Sequence, residues 1–157
     1  MKHLNQKLIF ALLFTVLFSE VAIIAQTSGN SEKTREIMQR YLESNHSDLS
    51  MMADDVVFTN MATGEEHKGT EEVSNMLNYV YHVAFDAEAE LKNLIVDGNR
   101  AVLEGEIVGK HIGDFAGVPA TNKDVRIPLC VVYDFENDQI KRARIYFEVP
   151  ALMEQLK

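Results

Sequence analysis

The sequence predicts an α+β domain in which N-terminal helices pack on a strongly curved antiparallel sheet. Three observations predict it. Apolar residues recur at helical spacing in two segments before residue 85. After residue 85 the chain changes to long runs of β-branched and alternating residues. Short polar turn signals, Asp97-Gly98-Asn99 and Glu136-Asn137-Asp138, divide those runs into hairpins. Helices grouped ahead of a meander indicate α+β and not a doubly wound fold. A sheet of long strands with helices on one face twists and curves around them, which can form a cone with a pocket at its open end.

The elements follow in order. Lys2 and Lys7 precede an apolar run, Leu8 to Phe18, and small and apolar residues then lead to Ala25. That order is the one a secretory signal peptide needs, so residues 1–25 are expected to be a signal peptide and the mature chain to be secreted or periplasmic. A stable membrane span needs about 20 apolar residues; a membrane contact is expected only if this segment stays uncleaved. Residues 26–30 read as a polar linker, and 31–157 as the domain.

Ser31 reads as a helix cap with Glu32 in the first turn. Ile37, Met38, Tyr41 and Leu42 continue at helical spacing, giving a helix from about Ser31 to Asn45. His46 to Ser50 is a polar loop, followed by a short helical turn near Met51-Met52-Ala53. Val56 to Asn60 reads as a strand, with Ala62-Thr63-Gly64 as its turn. Gly69-Thr70-Glu71-Glu72 opens a second helix whose stripe is Val73, Met76, Leu77, Val80, Tyr81 and Ala84. Strands are expected over Ala87–Val96, Ala101–Ile112, Val125–Phe135 and Ile140–Val149, with a Gly- and Pro-bearing loop at 113–122. Pro150 starts a last short helix through Leu156.

Charge excludes several function classes. The chain carries a formal net charge of −9. Losing the signal segment removes Lys2, Lys7 and Glu20, which leaves 13 basic and 23 acidic residues and a net charge of −10. Such a surface repels phosphate backbones, and nucleic acid is a poor partner. A single cysteine, Cys130, rules out a disulfide within the chain, so the fold rests on its core. His82 and His111 show no metal-ligand spacing, and His46 and His67 sit in polar loops. There is no Gly-rich phosphate loop and no Ser or Cys nucleophile motif. Neither a metal nor a nucleotide cofactor is expected.

Four segments together carry a resemblance. Ala84-Phe85-Asp86 closes the second helix. His111-Ile112-Gly113-Asp114-Phe115-Ala116-Gly117-Val118-Pro119-Ala120-Thr121-Asn122-Lys123 follows a pattern of His, a Gly two on, then Phe-x-Gly-x-Pro-x-Thr-Gly-Lys. Val132-Tyr133-Asp134-Phe135, Gln139-Ile140 and Arg144 to Glu148 form a closing hairpin, and Leu152-Met153-Glu154-Gln155-Leu156 gives Leu-x-x-Gln-Leu. In this order and spacing the chain from about Asp54 onward resembles the SnoaL-like polyketide cyclases (ester cyclases) of the nuclear transport factor 2-like superfamily. The resemblance implies the cone-shaped fold of that superfamily and a small hydrophobic or polycyclic ligand. It also implies cofactor-free cyclase or isomerase chemistry, and pairing into a homodimer through the open sheet face. Two departures stand out. Asn122 replaces the usual Gly, which Asn tolerates because it also visits positive φ. Glu148 stands where active cyclases commonly carry Asp, and the extra methylene shifts the carboxylate by about an ångström, enough to impair positioned proton transfer.

The candidate catalytic residues are His111 and Glu148. Alternation along the strand puts His111 on the more apolar face, with Ala101, Leu103, Gly105, Ile107 and Gly109. Gly105 and Gly109 leave room there for a ligand or for sheet curvature. His111 can move a proton near neutral pH, or it can brace the 113–122 loop through backbone bonds. Glu148 shares a strand face with Arg142, Arg144 and Tyr146. If that face lines the cavity, it forms an acid/base cluster; otherwise it is a solvated charged face with Ala143, Ile145, Phe147 and Val149 packing inward. Tyr41, Tyr79, Tyr81 and His82 could reach a pocket from the helices, where tyrosine can stabilise an oxyanion. The expected substrate-binding set is Tyr41, Tyr81, His82, Phe115, Arg144 and Tyr146. A secreted, non-catalytic binding or dimerisation module is the alternative reading.

Overall fold

The structure, a computed structural model, describes residues 30–44 and 46–157. The expected signal peptide and residues 26–29 of the linker lie outside the described residues, whereas residue 30 is already helical. Helix α1 covers residues 30–43 and buries Thr34, Ile37, Met38 and Tyr41, a stripe of the period a helix requires. Ser31 is not the cap expected. Its hydroxyl accepts from Gly98 N at 2.8 Å, while the Thr34 hydroxyl donates to Gly98 O at 2.9 Å. The first turn of α1 thus clasps a hairpin turn formed 64 residues later.

A 3-10 turn, Leu49–Met51, leads into strand β1, Met52–Asn60. β1 begins four residues earlier than Val56, because Met51 and Met52 are drawn into the core. A short β2, Glu66–Lys68, pairs back on β1 and carries no sequence signal strong enough to predict it. Helix α2, Gly69–Asn78, continues into one wide π turn, Tyr79–Ala84, which turns Tyr81 and Ala84 inward. Single π turns of this kind concentrate at functional sites.

Four long strands follow: β3 Phe85–Asp97, β4 Arg100–His111, β5 Asp124–Glu136 and β6 Gln139–Phe147. Helix α3, Val149–Leu156, closes the chain with Pro150 in its first turn. The sheet order is β2-β1-β6-β5-β4-β3. β3 to β6 form the expected antiparallel meander, but β1 pairs with β6 in parallel, so the sheet is mixed. Helices α1, α2 and α3 and the inner faces of β4, β5 and β6 share one core, which includes Leu103, Ile127, Val131, Ile140 and Leu152.

Two details explain motif residues. β5 has β4 on one side at Arg126, while its pairing with β6 begins only at Leu129. Gln155 of α3 fills that gap: its Oε1 accepts from Arg126 N at 2.8 Å and its Nε2 donates to Arg126 O at 2.9 Å. Leu152 and Leu156 beside it are buried. At Gly109 an added Cβ would lie 2.2 Å from Asp86 O and 2.5 Å from Ala87, and at Gly105 it would lie 2.6 Å from Glu90 O. The space these glycines leave is therefore occupied by the backbone of β3, which settles their role as close strand approach and not ligand room.

Candidate functional site

His111 ends β4 on its inner face and is fully buried. Its surroundings are fixed by backbone. His111 N donates to Lys123 O and Asn122 N donates to His111 O, each at 2.9 Å, so the 113–122 loop is folded back on its own strand. Asn122 adopts φ +58°, the left-handed conformation expected where the family pattern has Gly. Ile112 N and Gly113 N both donate to Ala84 O at the end of the π turn, at 2.9 and 3.0 Å. A Cβ at Gly113 would sit 2.2 Å from Val83 O, so only glycine permits this contact.

The loop also fixes the imidazole's tautomer. Thr121 N donates to Nδ1 of His111 at 3.3 Å, with the Thr121 hydroxyl 3.1 Å from the same atom. A backbone N–H can only donate, so Nδ1 is an acceptor and the ring's proton sits on Nε2. Nε2 is buried and has no hydrogen-bond partner among the described residues. The Phe85 ring lies against the imidazole at 5.1 Å, and Phe115 packs edge-on to Phe85 at 5.0 Å. Phe115 is held by a tight turn to Val118 and stacks on Tyr79, whose hydroxyl donates to Asp114 O at 2.6 Å.

A second cluster lies in the same core. Tyr41 meets His46 edge-on at 5.0 Å and Tyr133 at 6.1 Å, and His46 stacks on Tyr81 at 5.1 Å and 16°. His46 was expected in a polar loop. At the end of α1 its backbone adopts φ +65° and its N–H donates to Tyr41 O at 3.3 Å, which folds the ring inward between the two tyrosines. Burial pushes its pKa down to about 4, raises Tyr81 to about 12, and raises Tyr41 and Tyr133 as well. All four rings are therefore neutral at neutral pH. The Tyr41 hydroxyl and His46 Nδ1 are buried without partners among the described residues. Tyr41 and Tyr81 were readable from helical spacing; His46 and Tyr133 were not singled out. The only cue for His46 was its place just past a helix end, and Tyr133 alternates with Val131 and Phe135 as any core residue would.

The remaining candidates lie elsewhere. His82 is exposed on the π turn. On β6, Ala143 is buried and Ile145 and Phe147 pack against the core, so Arg142, Arg144 and Tyr146 belong to the outer face. Of the two alternatives for that face, the structure has the second: it is the outer side of the sheet, and Ala143, Ile145 and Phe147 pack inward. Arg144 donates to Asp134 at 2.6 Å and Arg100 to the same carboxylate at 2.7 Å. Partial burial works against ionising Asp134, but the two arginines outweigh it and lower its pKa. Glu148 is exposed just past β6, beside an open outer groove of about 480 Å³ that also touches Tyr146, Cys130 and Glu104. Its N–H reaches Pro128 O, and Pro128 pairs with Glu106, five residues before His111 on β4. That is roughly 16 Å of strand rise. The structure does not bring Glu148 and His111 together. Among the described residues no group of three or more His, Cys, Asp or Glu side chains could hold a metal ion.

The family model of the SnoaL-like polyketide cyclases matches residues 35–156. The chain belongs to that family. Its structure is similar to that of a protein from Jannaschia sp. CCS1 assigned to the SnoaL-like polyketide cyclases, with a TM-score of 0.74 at 18% identity, covering 81% of this chain and 93% of that one. TsrD from Streptomyces laurentii superposes with a TM-score of 0.68 at 19% identity, over 80% of this chain and 95% of that one. A Catenulispora acidiphila protein with a ketosteroid isomerase-like fold, solved with trimethylamine, gives 0.61 at 14% identity, over 76% and 91%. At these identities the likeness establishes the fold. No curated protein is significantly similar to the chain.

Proposed function

We propose that this protein is exported and binds a small, largely apolar molecule inside its cone, acting on it by cofactor-free acid–base chemistry as a cyclase or isomerase. The observation that carries the reading is His111 Nε2: a buried N–H with its proton fixed in place and nothing among the described residues to receive it. An unpaired buried donor costs about 1–3 kcal/mol, and such atoms call for an explanation. A ligand carbonyl answers it. Cyclisation or isomerisation of a ketone passes through an enolate, and a fixed N–H at that oxygen stabilises the developing charge. His111 then acts as the hydrogen-bond donor, a role that does not require Glu148. The test is turnover of small polycyclic ketones by the mature chain and by His111→Gln; a folded variant with unchanged turnover would overturn it. Support for export is the positively charged start, the apolar run and the small-residue exit of residues 1–25.

One observation favours a second reading, a secreted interaction module that pairs with itself. The outer sheet face carries an apolar row, Ile95, Val102 and Val132, with Tyr146 and Met61 exposed nearby. Ion pairs border it, Arg100–Asp134–Arg144 on one side and Glu90–Arg126–Glu106 on the other. An apolar centre inside a polar rim is the anatomy of an interface.

A further inference from the structure

We propose that Tyr41 and His46 form a second polar subsite of the cone, built to take an un-ionised hydroxyl (alcohol, phenol or enol) of the bound molecule. The proposal rests on the reading that the cone binds a small apolar molecule, and adds what that molecule must carry.

The argument begins with two atoms. The Tyr41 hydroxyl and His46 Nδ1 are both buried and both lack a partner among the described residues. Tyr41 is 0% exposed. The rings that carry these atoms touch edge-on at 5.0 Å, so the two unmet polar atoms belong to adjacent side chains. Two unsatisfied polar groups on neighbouring side chains are unusual in a core.

The kind of group that would satisfy both follows from charge and valence. The aromatic rings packed on this pair are those of Tyr81 and Tyr133, and burial keeps both phenols protonated. Burial also keeps the His46 imidazole neutral, with no charged partner contributing. A carboxylate or ammonium placed here would be a buried charge without a counter-charge, which is strongly unfavourable. A ketone or ether only accepts and leaves His46 unmet whenever Nδ1 is the acceptor nitrogen. A hydroxyl donates and accepts, so it satisfies Tyr41 and Nδ1 in either tautomer of His46.

The two polar positions are joined by the Tyr81–Phe85 segment, since Tyr81 stacks on His46 and Phe85 packs on His111. His111 offers a donor only, which suits a carbonyl oxygen. The ligand is then an apolar body with a carbonyl at one point and a hydroxyl at another.

The experiment compares naphthalene, 2-naphthol and 2-naphthoate as probes of one shape, titrated into the mature chain and followed by heteronuclear NMR. The expected result is that 2-naphthol binds about tenfold more tightly than naphthalene, one net hydrogen bond's worth. 2-Naphthoate binds more weakly than either, and the 2-naphthol shifts centre on Tyr41 and His46. In a Tyr41→Phe/His46→Phe double variant, 2-naphthol falls to the affinity of naphthalene, which itself stays within about twofold. Equal binding of naphthalene and 2-naphthol by the unaltered protein overturns the subsite and leaves the cone-binding reading standing. An advantage for 2-naphthol that survives the double variant overturns it equally. If no probe binds, the cone-binding reading fails and the subsite fails with it. The first comparison needs no variant, so a misfolded double mutant does not shelter the proposal.

Discussion

Thr121 holds His111 by a bond that only one tautomer can accept: its backbone N–H points at Nδ1 from 3.3 Å, and the imidazole proton is left on Nε2 in the core. The loop resembling the family pattern is therefore more than a connector, because its fold decides which nitrogen of a buried histidine faces inward as a donor. Long-range nitrogen–proton NMR of the imidazole should report Nε2–H for His111. A spectrum of the Nδ1–H form would contradict this arrangement.

The same loop depends on Asn122, which sits at φ +58°. Asn122→Gly should leave stability within about 0.5 kcal/mol, whereas Asn122→Val should cost at least about 1 kcal/mol, since β-branched residues resist the left-handed region. Urea unfolding followed by far-ultraviolet circular dichroism measures both. Equal stabilities would mean that the positive φ carries no strain.

Gly109 offers a sharper test of the sheet. A methyl group there meets backbone atoms of β3 at 2.2 and 2.5 Å, and backbone cannot swing aside as a flexible side chain can. Gly109→Ala should destabilise the fold by about 2 kcal/mol or more. A neutral substitution would show that β3 and β4 pack less closely than described.

His46 should make stability depend on pH. Its pKa falls from an ordinary 6.5 to about 4 on folding because burial disfavours the charged ring. Between those values the unfolded chain binds more protons, so the contribution is complete above about pH 6.5 and is lost as pH falls toward 4. The loss is on the order of 3 kcal/mol at most. His46→Gln should flatten that part of the stability–pH curve without changing the contribution of carboxylates elsewhere. The protein has five tyrosines and no tryptophan, so the near-ultraviolet tyrosine signal follows this cluster directly. Parallel curves for the two proteins would place His46 in water.

If the outer face pairs two copies, Val102→Glu should dissociate them, because it sets a charge in the middle of the apolar row. Light scattering on the eluting protein would give a dimer for the parent and a monomer for the variant. A parent that is already monomeric removes the interaction-module reading.

Most of the fold was legible because its signals are local. Helical spacing at Ile37, Met38 and Tyr41 and alternation from Val125 to Phe135 need only one segment each to be read. The parallel pairing of β1 with β6 was not legible, since nothing in Val56 to Asn60 states which distant strand it will join. β2 was missed because three residues, Glu66, His67 and Lys68, are too short and too polar to show a strand period. The site divides in the same way. His111 was legible from alternation beside a Gly- and Pro-bearing loop. His46 was not, because one backbone angle at a helix end turns the ring of a polar loop residue onto two tyrosines and buries its Nδ1. The outer-face placement of Glu148, Tyr146 and Arg144 could not be chosen from alternation alone, as both faces of β6 carry residues able to pack inward.

The most direct test of the central claim, a cone that holds a small apolar molecule, is native mass spectrometry of the protein purified gently from the cells that make it. The account predicts a non-covalent adduct of an apolar molecule bearing a carbonyl and a hydroxyl, retained by the parent and weakened by His111→Gln. An adduct-free mass for the parent, unchanged after exposure to a lipid-soluble extract of the producing cells, would contradict it.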